Sequence, residues 1–99
     1  MKITTQSTES EINVSIEGRI DTNTSSEVQN EIMKSFQKGK HVVLDFAQVA
    51  YISSAGLRAL LLGQKTAIAK GGTMKIINAS EVVKEVFEIT GFLQILTVE

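Results

Sequence analysis

From Ile12 to Ile16 the chain alternates strictly, with Ile12, Val14 and Ile16 separated by Asn13 and Ser15. That period of two, rich in β-branched residues, predicts a half-buried strand. The preceding "ITTQSTES" reads as a looser polar strand that turns near Ser7 to Ser10, so the two form an antiparallel hairpin. Gly18 to Thr24 breaks the alternation. Thr24 and Glu27 then carry a capping-box signature, and Val28, Ile32 and Phe36 recur at intervals of four. The pattern predicts a helix over 25–38 that stops at Gly39.

"HVVLDF", residues 41–46, is a continuous apolar run too short for a helix, which predicts a central strand buried on both faces. Leu57, Leu60, Leu61, Gln64 and Ile68 return to helical spacing up to the "KGG" stop at Lys70 to Gly72. "TMKIINA", residues 73–79, reads as a second buried strand. Ser80 caps a third helix with Val82, Val83, Val86, Phe87 and Ile89 as its apolar face, and Gly91 ends it. "FLQILTV" is a last strand or a short closing helical turn. Strand-helix-strand units after an opening hairpin define an α/β class: a mixed, mostly parallel sheet with three to four helices, in one domain over 1–99.

Composition narrows the function more than the fold. A length of 99 residues suffices for one hydrophobic core without metal or disulfide help. The formal charge of −1, with Lys and Arg dispersed, offers no basic face for nucleic acid. The absence of cysteine removes disulfides, thiolate chemistry and cysteine-ligated zinc. A single histidine and scattered acids give no metal cluster, and no phosphate loop is present, because the "GQKT" of residues 63–66 lies within a helix without the upstream glycine. No cofactor is expected. The N-terminus has no apolar core of a signal peptide, and no segment reaches the roughly 18 apolar residues of a membrane span. The expectation is a complete cytoplasmic protein without membrane insertion.

Chemistry concentrates in "VAYISSAGLRALLLGQ", residues 49–64. Ser53 or Ser54 falls at the N-cap of the second helix, where one hydroxyl satisfies an orphan N–H group. The second serine, with Ala55 and Gly56 behind it, points to a low surface open to a partner. A phosphate is also well placed there, since free N–H groups and the helix dipole favour negative charge. A serine hydrolase is disfavoured: G-x-S-x-G is absent, and His41 starts the strand whose far end leads to Ser54. Asp21, followed by Thr22, Asn23 and Thr24, suits an Asx-turn at a helix start. Asp45, inside an apolar strand, needs partners.

Three segments, "GRIDTNTSSEVQNEI", "VVLDFAQVAYISSAGLRALL" and "VVKEVFEITGFLQILTV", occur in that order along the chain. Together they resemble the STAS domain, specifically the small single-domain bacterial anti-sigma factor antagonists. The resemblance implies that Ser54, followed by Ala55, Gly56 and Leu57, is a phosphorylation site, with Ser53 the alternative acceptor. It implies a partner that is both anti-sigma factor and serine kinase, of the histidine-kinase-like ATPase fold. The unphosphorylated antagonist binds that partner and frees the sigma factor; phosphorylation ends the binding, and a PP2C-type phosphatase restores it. Asp21, Thr22, Ser53, Ala55, Gly56 and Arg58 are the implied partner-binding residues. Ser53 stands where the family usually has Asp, which leaves a second implied role: a non-switching STAS scaffold subunit of a transporter or signalling assembly.

Overall fold

The computed structural model describes residues 1–99. Its elements are β1 (Lys2–Ser7), β2 (Ile12–Ile20), α1 (Ser25–Lys38), β3 (His41–Ile52), α2 (Ser54–Ala69), β4 (Thr73–Ile77), α3 (Glu81–Ile89) and β5 (Thr97–Val98). A 3-10 turn, Phe92–Gln94, lies between α3 and β5, so "FLQILTV" supplies both a closing turn and a short strand. The sheet order is β1-β2-β3-β4-β5, antiparallel between β1 and β2 and parallel thereafter. Right-handed crossovers through strands added in sequence order place every helix on the same face of the sheet.

Burial follows that arrangement. Ile12, Val14, Ile16 and Ile20 of β2 are buried, whereas Ser15, Glu17 and Arg19 between them are exposed. On the covered face, a Cβ added to Gly63 of α2 would stand 2.8 Å from Met74 Sδ and 2.9 Å from Ile32 Cγ2, so α1, α2 and β4 meet closely there. Phe46 of β3 and Phe87 of α3 bring their ring centroids to 6.4 Å, joining α3 to the same core. Thr5 donates to Glu31 Oε2 at 2.6 Å and ties the edge strand β1 to α1.

Over 42–46 the strand is buried on both faces, as its apolar run predicts, except that Asp45 is half-buried; His41 at its start is exposed. Val42 and Leu44 share a face with Ile12, Val14, Met74 and Ile76, their register partners. Val43 lies on the outer face between Asn13 and Lys75, and is only 4 % exposed even there.

β3 also runs six residues further than the apolar run suggested, to Ile52. Two register shifts against β2 make this hard to read. Ser15 pairs with Asp45 but Glu17 with Gln48, and Gly18 pairs with Val49 but Arg19 with Tyr51, so each step inserts one extra β3 residue. Asp45 braces the first irregularity: its Oδ1 accepts the Ala47 N–H at 2.9 Å and the Asn78 side-chain amide at 3.1 Å. Asn78 has φ 61°, a left-handed conformation that Asn tolerates.

Three apolar positions assigned to helical core faces are instead on the surface. Ile68 is 69 %, Val82 57 % and Ile89 77 % exposed. A helix lying on one face of a sheet buries a single stripe, and in α3 that stripe is Val83 and Phe87.

Candidate functional site

The site is built where β2 and β3 end side by side. Ile20 and Ile52 are register partners, and the Ser53 N–H donates to the Ile20 carbonyl at 2.8 Å. The chain therefore leaves the sheet at Asp21 and Ser53 from adjacent points, on strands about 4.8 Å apart. One residue earlier, Arg19 and Tyr51 are also paired, with the Arg19 guanidinium 4.5 Å from the Tyr51 ring centroid. Neither was picked out from the sequence, because only the two register shifts make them neighbours.

Ser53 and Ser54 divide their roles. Ser53 is the N-cap of α2, with φ −95° and ψ 176°, and its Oγ accepts the Gly56 N–H at 3.3 Å. Ser54 is the first helical residue; it is exposed, and its hydroxyl makes no hydrogen bond within the chain. Ala55 is half-buried and Arg58, one turn on, is exposed. The only charged residues of α2 are Arg58 and Lys65.

Gly56 does not belong to the outer surface expected of it. It is buried, and a Cβ built on it would lie 2.7 Å from both Ile20 Cγ2 and Ile52 Cγ1. The glycine lets the first turn of α2 settle on the paired strand ends, which fixes the height at which Ser54 is presented.

Across the edge, the capping box expected of Thr24 and Glu27 is not formed. Thr24 has helical dihedrals, φ −106° and ψ −13°, and caps no helical N–H. Its hydroxyl is occupied, accepting the Asp21 N–H at 2.9 Å and donating to the Arg19 carbonyl at 2.7 Å. Asp21 organises this turn instead: its Oδ1 accepts from the N–H groups of Asn23 at 2.9 Å and Thr24 at 3.1 Å. Burial works against ionisation of Asp21, but the Thr24 and Asn23 amides, the Thr24 hydroxyl and the Arg19 charge together hold its carboxyl below the ordinary aspartate range. Thr22, at the tip of the turn, is exposed.

His41 occupies the opposite end of β3 from the serines, with Nδ1 2.9 Å from Thr73 Oγ1. It cannot act as a base for Ser54. No group of three or more His, Asp or Glu side chains converges to hold a metal, and no helix is long and apolar enough to cross a membrane.

An exposed hydroxyl at a helix start and an acidic turn beside it share one edge of a small α/β domain. The STAS domain family model matches residues 2–99, and the chain belongs to that family. It carries the fold of the anti-sigma factor antagonists. BtrV of Bordetella bronchiseptica, whose name places it among those antagonists, is 34% identical over 99% of this chain and 85% of its own length. The crystal structure of a putative anti-sigma factor antagonist from Thermotoga maritima superposes with a TM-score of 0.89 at 15% identity, covering 97% of this chain and 84% of that one. The Bacillus cell fate determinant SpoIIAA in its phosphorylated form gives 0.75 at 17% identity, over 99% and 91% of the two chains.

Proposed function

We propose that this chain is a phospho-regulated binding module rather than an enzyme, an anti-sigma factor antagonist acting in the cytoplasm as one STAS domain over 1–99. Unphosphorylated, it binds an anti-sigma factor of the histidine-kinase-like ATPase fold through Asp21, Thr22 and the α2 start, and so frees a sigma factor. That partner phosphorylates Ser54, which ends the binding, and a PP2C-type phosphatase reverses the modification. The observation that carries this reading is the exposed, unengaged hydroxyl of Ser54 beside a serine that already caps the helix. The name of BtrV supports the partner class, and the phosphorylated SpoIIAA structure supports a modification on this fold.

Physically, the switch acts on the interface and leaves the fold intact. A phosphoserine adds about −1.5 to −2 charges at a helix end that favours them. A partner carboxylate roughly 6 Å away would be repelled by about 3 kcal/mol per unit charge at an effective dielectric near 20, which is about a hundredfold in affinity. Arg58 and the exposed Leu62 extend the docking surface along α2.

Mass spectrometry of the protein isolated from growing and stressed host cells tests this, by mapping phosphate on the peptide that spans Ser53 and Ser54. Phosphate on Ser54 that varies with condition, together with a Ser54→Ala protein that stays bound to its partner, is the expected result. A peptide unmodified throughout, from a protein still bound to its partner, would instead make it the non-switching scaffold.

A further inference from the structure

A second surface lies along α3, on the β5 side of the molecule. α3 and the segment that follows it frame a groove of ≈ 610 Å³ with Ile89, Leu93 and Val98 as its apolar lining. Exposed large hydrophobic residues gather here: of the seven in the chain, Val82, Ile89, Leu93 and Ile95 all belong to α3 and the turn after it. Scattered apolar residues on a surface need no explanation, but Ile89 and Leu93 are exposed and line the groove together, which marks it as an interaction site.

The rim of the groove selects the occupant. Glu81, Glu85 and Glu88 line it together with Lys84, three carboxylates against one ammonium. None of these carboxylates is in an ion pair, since the chain's one salt bridge joins Lys75 to Glu99 at 3.6 Å. An apolar floor edged by uncompensated negative charge is complementary to an amphipathic helix with Lys or Arg flanking its apolar face. The same charge repels an anionic membrane surface.

We propose that the groove between α3 and residues 92–98 docks a basic amphipathic helix of a protein partner, independently of Ser54. The two surfaces share no residue: the groove is lined by α3, Leu93 and Val98, and none of its lining belongs to α2 or to the Asp21 turn. A partner held there stays attached through a cycle of phosphorylation at the other surface. A second copy of this chain offers α2, whose only charges are Arg58 and Lys65, as an alternative occupant that the concentration dependence below detects.

The test is an amide NMR titration of the intact protein with a synthetic helical peptide of about 18 residues, five turns, with Leu at i, i+3, i+4 and i+7 and Lys or Arg elsewhere. The control peptide carries Glu in place of each Lys and Arg. Saturable shifts confined to α3 and residues 92–98 are expected with the basic peptide and not with the acidic one. Ile89→Ser and the double variant E85K/E88K should each weaken binding by about tenfold or more, while Ser54→Asp leaves it unchanged. Shifts that map elsewhere, equal binding of both peptides, or indifference to Ile89→Ser would overturn the proposal. So would α3 signals that move with protein concentration in the absence of peptide, because a second copy would then be the occupant.

Discussion

The Ser53 amide donates to the carbonyl of Ile20 at 2.8 Å, and this one bond joins the loop that presents the exposed serine to the turn that holds Asp21. Both segments therefore inherit their positions from one pair of strand ends. Under the proposed function, a charge placed on Ser54 acts on the docked partner and leaves the fold unchanged.

Replacing Ser54 by Asp should not destabilise the domain. A negative charge in the first turn of α2 gains about 0.3–1 kcal/mol from the helix dipole, and position 54 is exposed. Urea denaturation should give an unchanged or slightly raised midpoint, while calorimetric titration shows partner affinity falling about a hundredfold. A variant that lost affinity only because it had unfolded would show a lowered midpoint, and the interface account of the switch would then be wrong.

Ser53 contributes to stability through its cap. Ser53→Ala removes the acceptor of the Gly56 N–H and should cost about 0.5–1 kcal/mol, whereas Ser53→Asp keeps a cap of equal or better strength. Equilibrium denaturation of the two variants separates capping from charge. If alanine proved neutral, the cap would not be what holds this serine in place.

The Asp21 turn adds a pH-dependent contribution to stability. Its carboxyl is held below the ordinary range in the folded chain, so between its ordinary pKa, about 3.9, and the lower folded value the unfolded chain binds more protons. The stabilisation is present above that ordinary value and disappears as pH falls through the folded one. Asp21→Asn should flatten the pH dependence of unfolding in this window. Carboxyl-carbon NMR titration should place Asp21 below the ordinary aspartate range.

Much of this architecture can be read from the chain where one rule acts alone. The alternation of Ile12, Val14 and Ile16 marks β2, and the four-residue spacing of Val28, Ile32 and Phe36 marks α1; both are packed on one side only. Reading fails where rules compete. The two extra residues in β3 put "AQVAYI" out of phase with a period of two, which hid both the strand end and the Arg19–Tyr51 pair. Thr24 has the spacing of a capping residue, yet its hydroxyl is taken by Arg19 and Asp21. Which of two adjacent serines caps a helix depends on one residue of phase, and that phase is set by Gly56 resting against the strand ends.

Gly56 offers the sharpest check on that last point, because two effects oppose each other there. By helix propensity alone, Gly56→Ala in α2 should stabilise the domain by about 1 kcal/mol. The added Cβ would, however, lie 2.7 Å from Ile20 Cγ2 and from Ile52 Cγ1, with the Ile20 carbonyl oxygen at 3.2 Å. The two isoleucine side chains are buried and cannot move aside freely. Overpacking of this kind costs about 1–3 kcal/mol, so the net effect should be destabilising and should lift the first turn of α2 away from β2. Denaturation of Gly56→Ala, with amide shifts of residues 53–57 and 20–21 as the structural readout, decides the matter. A more stable variant with unshifted amides would mean that the close approach does not set the height of the Ser54 loop.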